Sequence, residues 1–305
     1  MLNTTDDDAN SSFEVSYPES LVGTNAAFLS FNIFFAITTT LGNVLILIAL
    51  HKVTSIHPPT KLLFRCLAVT DLCVGLLSQP LFTVKLINEG IRNSSITILD
   101  VILTIWSVCS LILCAVSLLT STAISVDRLL ALMLGLRYRH VVTLRRVRAL
   151  IIFCWFLVGG LVGCITLGDF SIFVYIVLML ISLIISTVSF AKIYFRLRQQ
   201  LLSVQGHHHQ EQQQPPCGLV PTALNLARYK KTVSAIAWVQ LGLFACYSPF
   251  CVTFLLLSYI YLDAFSQLIL LNISLSLLYL NSSLNPILYC WKIREVKKAV
   301  KDIIR

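Results

Sequence analysis

The chain has 305 residues, of which 57% are hydrophobic and 12% charged, with a formal net charge of +9 and a mean hydropathy of +0.83. A water-soluble protein of this length carries about twice that charged fraction, because its surface faces water. The composition therefore excludes an ordinary soluble protein and indicates that lipid surrounds most of the chain.

Seven apolar runs divide the sequence, each close to the roughly 20 residues that a helix needs to cross about 30 Å of hydrocarbon. They cover residues 26–50, 62–86, 99–126, 149–168, 170–192, 232–260 and 266–290. The runs are continuously apolar instead of alternating, which favours helices over a β-barrel. The sequence thus predicts an all-α protein with a seven-transmembrane-helix bundle over residues 26–290. Only the stretch around Gly168, Asp169 and Phe170 separates the fourth run from the fifth, so an uninterrupted hairpin there remains an alternative.

Three polar segments flank or interrupt this bundle. Residues 1–25 form an acidic, polar N-terminal tail. Residues 199–227 contain a low-complexity stretch rich in His, Gln and Pro, which predicts a disordered inner loop. A metal site on its histidines is the alternative interpretation, and a solvated linker is the preferred one. Residues 291–305 mix apolar and basic side chains at helical spacing, which predicts a short amphipathic eighth helix on the membrane surface.

The basic residues predict the orientation of the chain. With the N-terminus outside, only Lys85 and Arg92 of the 23 basic residues face outward. We therefore expect a multi-pass protein of the plasma membrane with an extracellular N-terminus and a cytoplasmic C-terminus. The positive charge then attracts anionic membrane lipids and is no footprint of nucleic acid. In this orientation the sequons at Asn3, Asn10 and Asn93 face outward and predict glycosylation.

Asp71 is the only carboxylate in the middle of a predicted membrane helix. Polar groups are costly in hydrocarbon, so those that occur are functional candidates. Oxygen atoms from other helices could join Asp71 in coordinating a hard monovalent cation. The candidate polar network consists of Asn43, Asp71, Ser117, Asn281, Ser282 and Asn285. The alternative interpretation is a protonated Asp71 in a hydrogen-bonded network with water.

Six short motifs lie in six of the predicted helices. They are Gly42-Asn43, Asp71 within Leu67–Leu72, Asp127-Arg128-Leu129, Trp155, Cys246-Tyr247-Ser248-Pro249 and Asn285-Pro286-Ile287-Leu288-Tyr289. Each motif alone is weak evidence, but six in matching helices at matching depth resemble the rhodopsin-like (class A) G-protein-coupled receptors. The resemblance implies a receptor, not an enzyme, that transduces an extracellular ligand into activation of a heterotrimeric G protein. It also implies an allosteric Na⁺ ion at Asp71 that favours the inactive state.

The same resemblance implies an activation switch at the inner end of the third helix. Arg128 would pair with Asp127 at rest and contact the G protein on activation, although a simple membrane-edge arginine is the alternative. The further switch residues implied by the family are Tyr194, Tyr247, Pro249, Pro286 and Tyr289. Pro249 lacks a backbone donor and predicts a hinge in the sixth helix. Residues 228–231 offer no acidic partner for the arginine where many family members have one, so we expect elevated ligand-independent signalling.

The sequence departs from the family pattern mainly in its outer half. Leu103 occupies the third-helix position of the usual disulfide cysteine, the second outer loop has almost no length, and the fifth helix lacks its usual proline. Tyr247 stands in place of the family's Trp, and Leu129 in place of the Tyr after the arginine. With Leu136-Arg137-Tyr138 in the second inner loop, these departures resemble the melanocortin receptors and their adenosine and cannabinoid relatives.

These departures also limit the ligand. Tyr279 stands where retinal proteins carry a Schiff-base lysine, so no retinal cofactor is expected, and Ser110 stands where amine receptors carry a carboxylate. The acidic residues that melanocortin receptors use on the second and third helices are missing as well. The outer half is apolar and weakly polar, so we expect a neutral or lipid-like small molecule as the ligand. The candidate lining is Trp106, Ser107, Ser110, Phe250, Phe254 and Tyr279, for which packing is the alternative interpretation.

Two other functions remain open from the sequence. A transporter or light-driven pump would call for several intramembrane carboxylates or a retinal lysine, and the chain has one carboxylate in mid-membrane. A receptor-like scaffold that no longer couples to a G protein is the other alternative. Arg128 and the Asn285-Pro286-Ile287-Leu288-Tyr289 motif argue against it.

Overall fold

The computed structural model describes residues 19–90, 97–168, 170–210, 219–292 and 294–304. Within these ranges the chain is helical apart from short turns, and no β-strand occurs there. Seven of the helical segments are long and apolar enough to cross a membrane. This finding confirms the predicted all-α, seven-helix fold.

The seven membrane helices are numbered as spans one to seven in chain order. They are Glu19–Lys52, the composite Pro58–Cys73 with Val74–Ser78 and Gln79–Gly90, Thr97–Leu134, Leu144–Ile165, Phe170–Gln210, Leu219–Tyr259 and Ala264–Lys292. A 3₁₀ turn, Gly135–Arg137, and a short helix, Tyr138–Val141, follow span three. The C-terminal helix is Arg294–Ile304.

Spans four and five are separate helices joined by a tight turn. Span four ends at Ile165, and the backbone amides of Leu167 and Gly168 both donate to the Cys164 carbonyl at 3.1 Å. Span five begins at Phe170. The uninterrupted hairpin is therefore excluded, and the connection between the two spans is very short.

Helical backbone continues past the membrane-spanning parts of spans five and six. Span five reaches Gln210 and span six begins at Leu219, which differs from the disordered loop predicted for residues 199–227. Leu and Gln are good helix formers, and extending an existing helix avoids the cost of nucleating a new one. Residues 211–218 lie outside the described part of the chain.

Span two changes its hydrogen-bond register halfway along. Residues Val74–Ser78 form a π-helical segment just before Pro80, which has no amide to donate to the preceding turn. A Cβ atom on Gly75 would lie 2.7 Å from Thr40 Oγ1, so this glycine allows spans one and two to pack closely. The extra residue in the turn rotates the two halves of span two relative to each other. The end of the bundle that carries the C-terminal helix is called inner, and the opposite end outer.

Buried apolar side chains form two layers along the bundle. The layer through the middle and outer half centres on Val74, Phe82, Leu118, Tyr175, Tyr247 and Tyr279. The inner layer centres on Ile46, Leu50, Leu63, Phe64, Val147 and Val296. The inner layer thus includes a residue from beyond span seven.

That residue, Val296, attaches the C-terminal helix to span one. Val296 is fully buried, and Ala299, Val300 and Ile303 pack against the same layer, whereas the three lysines of the helix are exposed. The apolar face therefore covers the inner end of the bundle and the basic face points away from it. This arrangement confirms the predicted short amphipathic eighth helix.

Candidate functional site

Asp71 is fully buried where spans two, three and seven meet. Its Oδ1 accepts hydrogen bonds from the Ser117 hydroxyl at 2.9 Å and the Ser282 hydroxyl at 2.8 Å. Its Oδ2 accepts a hydrogen bond from the side-chain amide of Asn285 at 2.7 Å. Four of the six residues predicted for the polar network therefore meet around one carboxylate.

Asn43 and Asn281, the other two predicted members, form no hydrogen bond with that carboxylate. Asn43 Nδ2 donates to the carbonyls of Thr39 at 2.9 Å and Ser282 at 3.2 Å, which links span one to span seven. Asn281 is buried with its Nδ2 unpartnered, and together with Asn285 it lines an adjoining cavity of about 50 Å³. Asn43 is thus connected to the network through the Ser282 carbonyl, and Asn281 borders the cavity beside it.

Gly42 explains how span one comes close enough for this link. A Cβ atom at Gly42 would lie 2.9 Å from Pro286 Cγ. Any larger residue would push span one away from the proline of span seven. The Gly42-Asn43 pair therefore combines a close approach with an amide that bonds across it.

The atoms around Asp71 fit a monovalent cation. A hard cation takes oxygen ligands, and Asp71, Ser117 and Ser282 supply carboxylate and hydroxyl oxygens within one cluster. Asn43 Oδ1, on the side chain that bonds the Ser282 carbonyl, is a buried acceptor without a partner. The ion pairs of the described residues do not include Asp71, so no Lys or Arg balances its charge.

A second buried carboxylate, Asp127, lies at the inner end of span three. Its Oδ1 accepts a hydrogen bond from the Tyr138 hydroxyl at 2.5 Å, and its Oδ2 accepts one from the Thr60 hydroxyl at 2.9 Å. Thr60 and Tyr138 also contact each other at 3.0 Å. Neither residue was predicted to belong to the switch, because hydroxyl side chains near a membrane edge are common and carry no distinctive spacing.

Arg128 is held much more loosely than Asp127. Its Nη2 lies 3.7 Å from Asp127 Oδ2, which is an ion pair without a hydrogen bond. Its guanidinium carbon lies 5.6 Å from the centre of the Phe64 ring, and its Nε is buried without a partner beside the 50 Å³ cavity. The predicted Asp127–Arg128 pair therefore exists, but neutral hydroxyls bind the carboxylate more closely than the arginine does.

The remaining predicted switch residues lie in spans five to seven. Tyr247 is buried and donates to the Cys114 carbonyl of span three at 3.1 Å, and Pro249 lies inside span six. Pro286 lies inside span seven against Gly42. Tyr194 is half-buried, with its ring 5.6 Å from that of Phe195 and 6.5 Å from that of Phe190. The backbone of Tyr289 is helical, and its side chain lies outside the described set.

Gln240 of span six forms a polar cluster that was not predicted from the sequence. The Ser186 hydroxyl donates to Gln240 Oε1 at 2.8 Å, and Gln240 Nε2 donates to Thr187 Oγ1 at 2.9 Å. Ser186 also contacts the Ser125 hydroxyl of span three at 3.1 Å. The cluster therefore connects spans three, five and six, and the polar Gln240 inside an apolar run was the available signal for it.

Three of the six predicted ligand-lining residues come together in the outer half. The Tyr279 hydroxyl accepts a hydrogen bond from Trp106 Nε1 at 3.1 Å and contacts the Ser110 hydroxyl at 2.7 Å. Ser107 turns back to bond the Thr104 carbonyl of its own helix at 2.9 Å.

The two phenylalanines, Phe250 and Phe254, pack in the core on the span-six side. Both interpretations of the predicted set therefore hold in part: one half forms a hydrogen-bonded cluster, and the other half packs or faces its own helix.

A charged cluster lies beside Trp106 and corrects the expectation that the outer half is only apolar and weakly polar. Lys85 contacts the Glu89 carboxylate and donates to Asn272 Oδ1 at 2.8 Å, and Asn272 Nδ2 donates to Glu89 Oε2 at 3.1 Å. The ammonium lies 5.5 Å from the ring centres of both Phe82 and Trp106. Lys85 was counted among the outward-facing basic residues at the end of the predicted run 62–86, and its pairing with Glu89 and Asn272 was not predicted.

The glycosylation sites Asn3, Asn10 and Asn93 lie outside the described residues. Eight cysteines in the described part of the chain are free thiols. No disulfide therefore ties the outer ends of the helices together within that part, and side-chain packing and hydrogen bonds hold them.

Seven membrane-spanning helices, a buried carboxylate at their centre and an Asp-Arg pair at one end define a seven-helix membrane receptor. The family model described as 7 transmembrane receptor (rhodopsin family) matches residues 42–170. The adenosine receptor A3 of Bos taurus is 26% identical over 92% of this chain and 90% of its own length. The melanocortin receptor 5 of Homo sapiens is 27% identical over 87% of this chain and 80% of its own length.

Over a shorter stretch, the muscarinic acetylcholine receptor gar-2 of Caenorhabditis elegans is 32% identical, covering 41% of this chain and 19% of its own. These similarities support a rhodopsin-like (class A) G-protein-coupled receptor near the adenosine and melanocortin receptors.

Proposed function

We propose that this receptor lies in the plasma membrane with its N-terminus outside and converts the binding of an extracellular small molecule into activation of a heterotrimeric G protein. Coupling to a G protein is the norm of the family. The observation that carries the proposal is the loose ion pair of Arg128, whose Nη2 is 3.7 Å from Asp127 Oδ2. An ion pair at this distance is weak, so a modest free energy releases Arg128 from Asp127, while Thr60 and Tyr138 keep both carboxylate oxygens hydrogen-bonded.

G-protein dissociation sensors covering all Gα classes test this coupling in cells that express the receptor. We expect a basal signal above that of mock-transfected cells, and we expect Arg128→Ala to remove it at equal surface expression. Silence across all Gα classes, with and without a ligand library, would support the non-coupling scaffold instead. Antibody access to tags at the two termini in intact cells tests the orientation separately.

We propose that the ligand is neutral or lipid-like and binds beside the Trp106, Ser110 and Tyr279 cluster. Lys85 and Glu89 neutralise each other, so the nearby charged cluster demands no net charge of the ligand. Tyr279→Phe removes the hydroxyl that both Trp106 and Ser110 contact.

For an agonist found by screening, we expect Tyr279→Phe to lower potency at unchanged surface expression. Ser107→Ala is the matched control, because that hydroxyl bonds its own helix. Equal losses in both variants, or agonists that all carry a net charge, would contradict this ligand site.

Na⁺ at Asp71 is part of the same proposal. Asp71, Ser117 and Ser282 would hold the ion, which would supply the missing positive charge at a buried carboxylate. A bound ion that interacts with spans two, three and seven at once stabilises the arrangement in which these spans meet. If this arrangement is the inactive state, as the family resemblance implies, Na⁺ lowers the affinity of agonists. Thermal unfolding of the receptor at increasing Na⁺ concentration tests the binding of the ion directly.

A further inference from the structure

A groove of about 410 Å³ lies on the lipid-facing surface of the bundle, at the inner ends of spans three and four. Most of its lining is aliphatic and includes Leu119, Val126, Leu130, Val142, Val147 and Leu150. None of the residues that line it is aromatic. Val141 of the short helix after span three and Ile185 of span five also line it.

The groove is a recess with a buried floor and an exposed rim. Leu63, Val147 and Thr122 on its floor are 2%, 6% and 7% exposed, whereas Leu150 and Ile185 on its rim are 43% and 44% exposed. Exposed aliphatic side chains on a membrane helix face lipid. Hydrocarbon therefore has to enter the recess, because an unfilled one would leave its lining atoms without contacts.

Arg146 stands at the mouth of this recess. It is exposed, and one guanidinium nitrogen donates to the Val141 carbonyl at 2.8 Å. The Thr143 hydroxyl accepts from the Arg146 amide at 3.4 Å, which ties the start of span four to the loop before it. A guanidinium has five N–H donors, so this anchoring leaves donors for the oxygens of a phosphate.

Other basic residues surround Arg146 without lining the groove. The connection between spans three and four exposes Arg137, Arg139 and His140, and the start of span four exposes Arg145, Arg146 and Arg148. All of them attract an anionic membrane surface, but only Arg146 borders the aliphatic recess. The combination of one positioned cation and an aliphatic recess matches a lipid with an anionic headgroup and a flexible chain.

We propose that this groove binds one anionic phospholipid of the cytoplasmic leaflet, with an acyl chain in the recess and the phosphate on Arg146. The site rests on the orientation proposed above and does not depend on G-protein coupling. Asp127 also borders the recess, so the bound chain lies beside the carboxylate that Thr60 and Tyr138 hydrogen-bond. The lipid thereby becomes a neighbour of the residues that hold Arg128.

Thermal unfolding of the purified full chain in detergent micelles tests the site. Circular dichroism of the helices reports unfolding, because a thiol-reactive dye would also react with the exposed Cys164 and with Cys154, which lines the groove. Phosphatidylglycerol and phosphatidylcholine with identical chains are titrated separately. We expect phosphatidylglycerol to raise the unfolding midpoint at several-fold lower concentration than phosphatidylcholine.

Two pairs of variants separate the headgroup from the chain. Arg146→Gln should weaken the effect of phosphatidylglycerol by about fivefold, which corresponds to the ~1 kcal/mol that one basic residue contributes near an anionic surface. Arg148→Gln is its control, since Arg148 is exposed in the same segment but lies outside the groove. Ala123→Phe places a ring in the recess and should abolish the response, and Ile152→Phe on an exposed face of span four should not.

Three outcomes would overturn the proposal. Equal losses in Arg146→Gln and Arg148→Gln would mean a diffuse attraction, and an undiminished response in Ala123→Phe would mean that no chain enters the recess. Oleate binding as tightly as phosphatidylglycerol would mean a fatty-acid site. If Ala123→Phe fails to fold, the two arginine variants and oleate still decide. A receptor that binds the lipid yet activates no G protein would contradict the proposed coupling and leave this site standing.

Discussion

The two buried aspartates of this receptor have similar hydrogen bonding and different charge balance. Both carboxylates accept hydrogen bonds from neutral side chains on both oxygens, three for Asp71 and two for Asp127. Asp127 has Arg128 next to it, whereas Asp71 takes part in no ion pair among the described residues. A buried carboxylate without a countercharge is costly, so Asp71 requires a proton or a cation and Asp127 does not.

This difference in charge balance indicates that the two aspartates have different roles. Asp71 gathers partners from spans three and seven into one closed cluster, so any change there disturbs how three spans meet. Asp127 is bound by the inner end of span two and the short helix after span three, with Arg128 loosely attached. We infer that Asp71 chiefly determines stability and ion response, and that Asp127 chiefly determines basal signalling.

Among the substitutions considered, Asp71→Ala is expected to have the largest effect, and this effect is on stability. It leaves Ser117, Ser282 and Asn285 without their shared acceptor, and unpaired buried polar groups cost about 1–3 kcal/mol each. We expect the free energy of unfolding to fall by about 2 kcal/mol, since the hydroxyls can turn to backbone carbonyls instead. Thermal unfolding measures it. Thr70→Ala is the control, because that hydroxyl bonds the Leu67 carbonyl of its own helix.

The same measurement tests the ion at Asp71. The midpoint of the wild-type receptor should rise with Na⁺ concentration and not with choline, because only the folded cluster binds the ion. Asp71→Asn keeps the shape of the side chain and loses its charge, so its midpoint should not respond to Na⁺. An equal response in both proteins would leave the protonated carboxylate as the better description.

Asp127→Asn comes next and should act on signalling. The substitution removes the charge that retains Arg128, while the amide oxygen still accepts a hydrogen bond. A loss of about 1 kcal/mol from the resting arrangement corresponds to about a fivefold rise in the basal G-protein signal. Dissociation sensors in cells measure it at matched surface expression. An unchanged basal signal together with a lowered unfolding midpoint would reverse the roles assigned to the two aspartates.

These residues differ in whether the sequence predicted their role. Hydropathy located seven spans, and the rule that an intramembrane carboxylate is functional located Asp71. The same rule applied to amides would have found Gln240. Thr60 and Tyr138 gave no such signal, because they meet Asp127 only after the turn Gly135–Arg137 folds the following helix back.

The outer half was harder to predict for two physical reasons. The π-helical Val74–Ser78 rotates the outer part of span two, so one continuous helical period does not assign its faces. Lys85 lies just inside the end of the predicted apolar run, and Glu89 lies beyond it. The two side chains contact each other, hydrogen-bond Asn272 and are only 15% and 17% exposed. Hydropathy scores each charged residue separately, so it gives no signal for such a paired and shielded cluster.

Gln240→Leu tests a third polar cluster, which involves neither aspartate. Residues 228–231 were expected to provide no acidic lock, and their side chains lie outside the described set. The Gln240 cluster ties span six to spans three and five in a different way. Interhelical hydrogen bonds in membranes contribute about 0.6 kcal/mol each. Gln240→Leu breaks two of them, but the freed Ser186 hydroxyl can donate to a backbone carbonyl instead, so we expect the net loss of about one bond and about a threefold rise in basal signalling. Ser258→Ala, which loses only a bond to its own helix, should leave the signal unchanged.

Tyr138→Phe should have the smallest effect and shows whether the hydroxyls or the arginine hold Asp127. It removes one neutral donor and leaves Thr60 and Arg128 in place, so we expect a rise of about twofold in basal signal, from a hydrogen bond of ~0.5 kcal/mol. Thr60→Ala and the double variant complete a double-mutant cycle. If the double variant reaches the signal of Asp127→Asn, the hydroxyls position the carboxylate that retains Arg128. A double variant at the wild-type level would mean that the arginine alone, at 3.7 Å, is sufficient for the resting state.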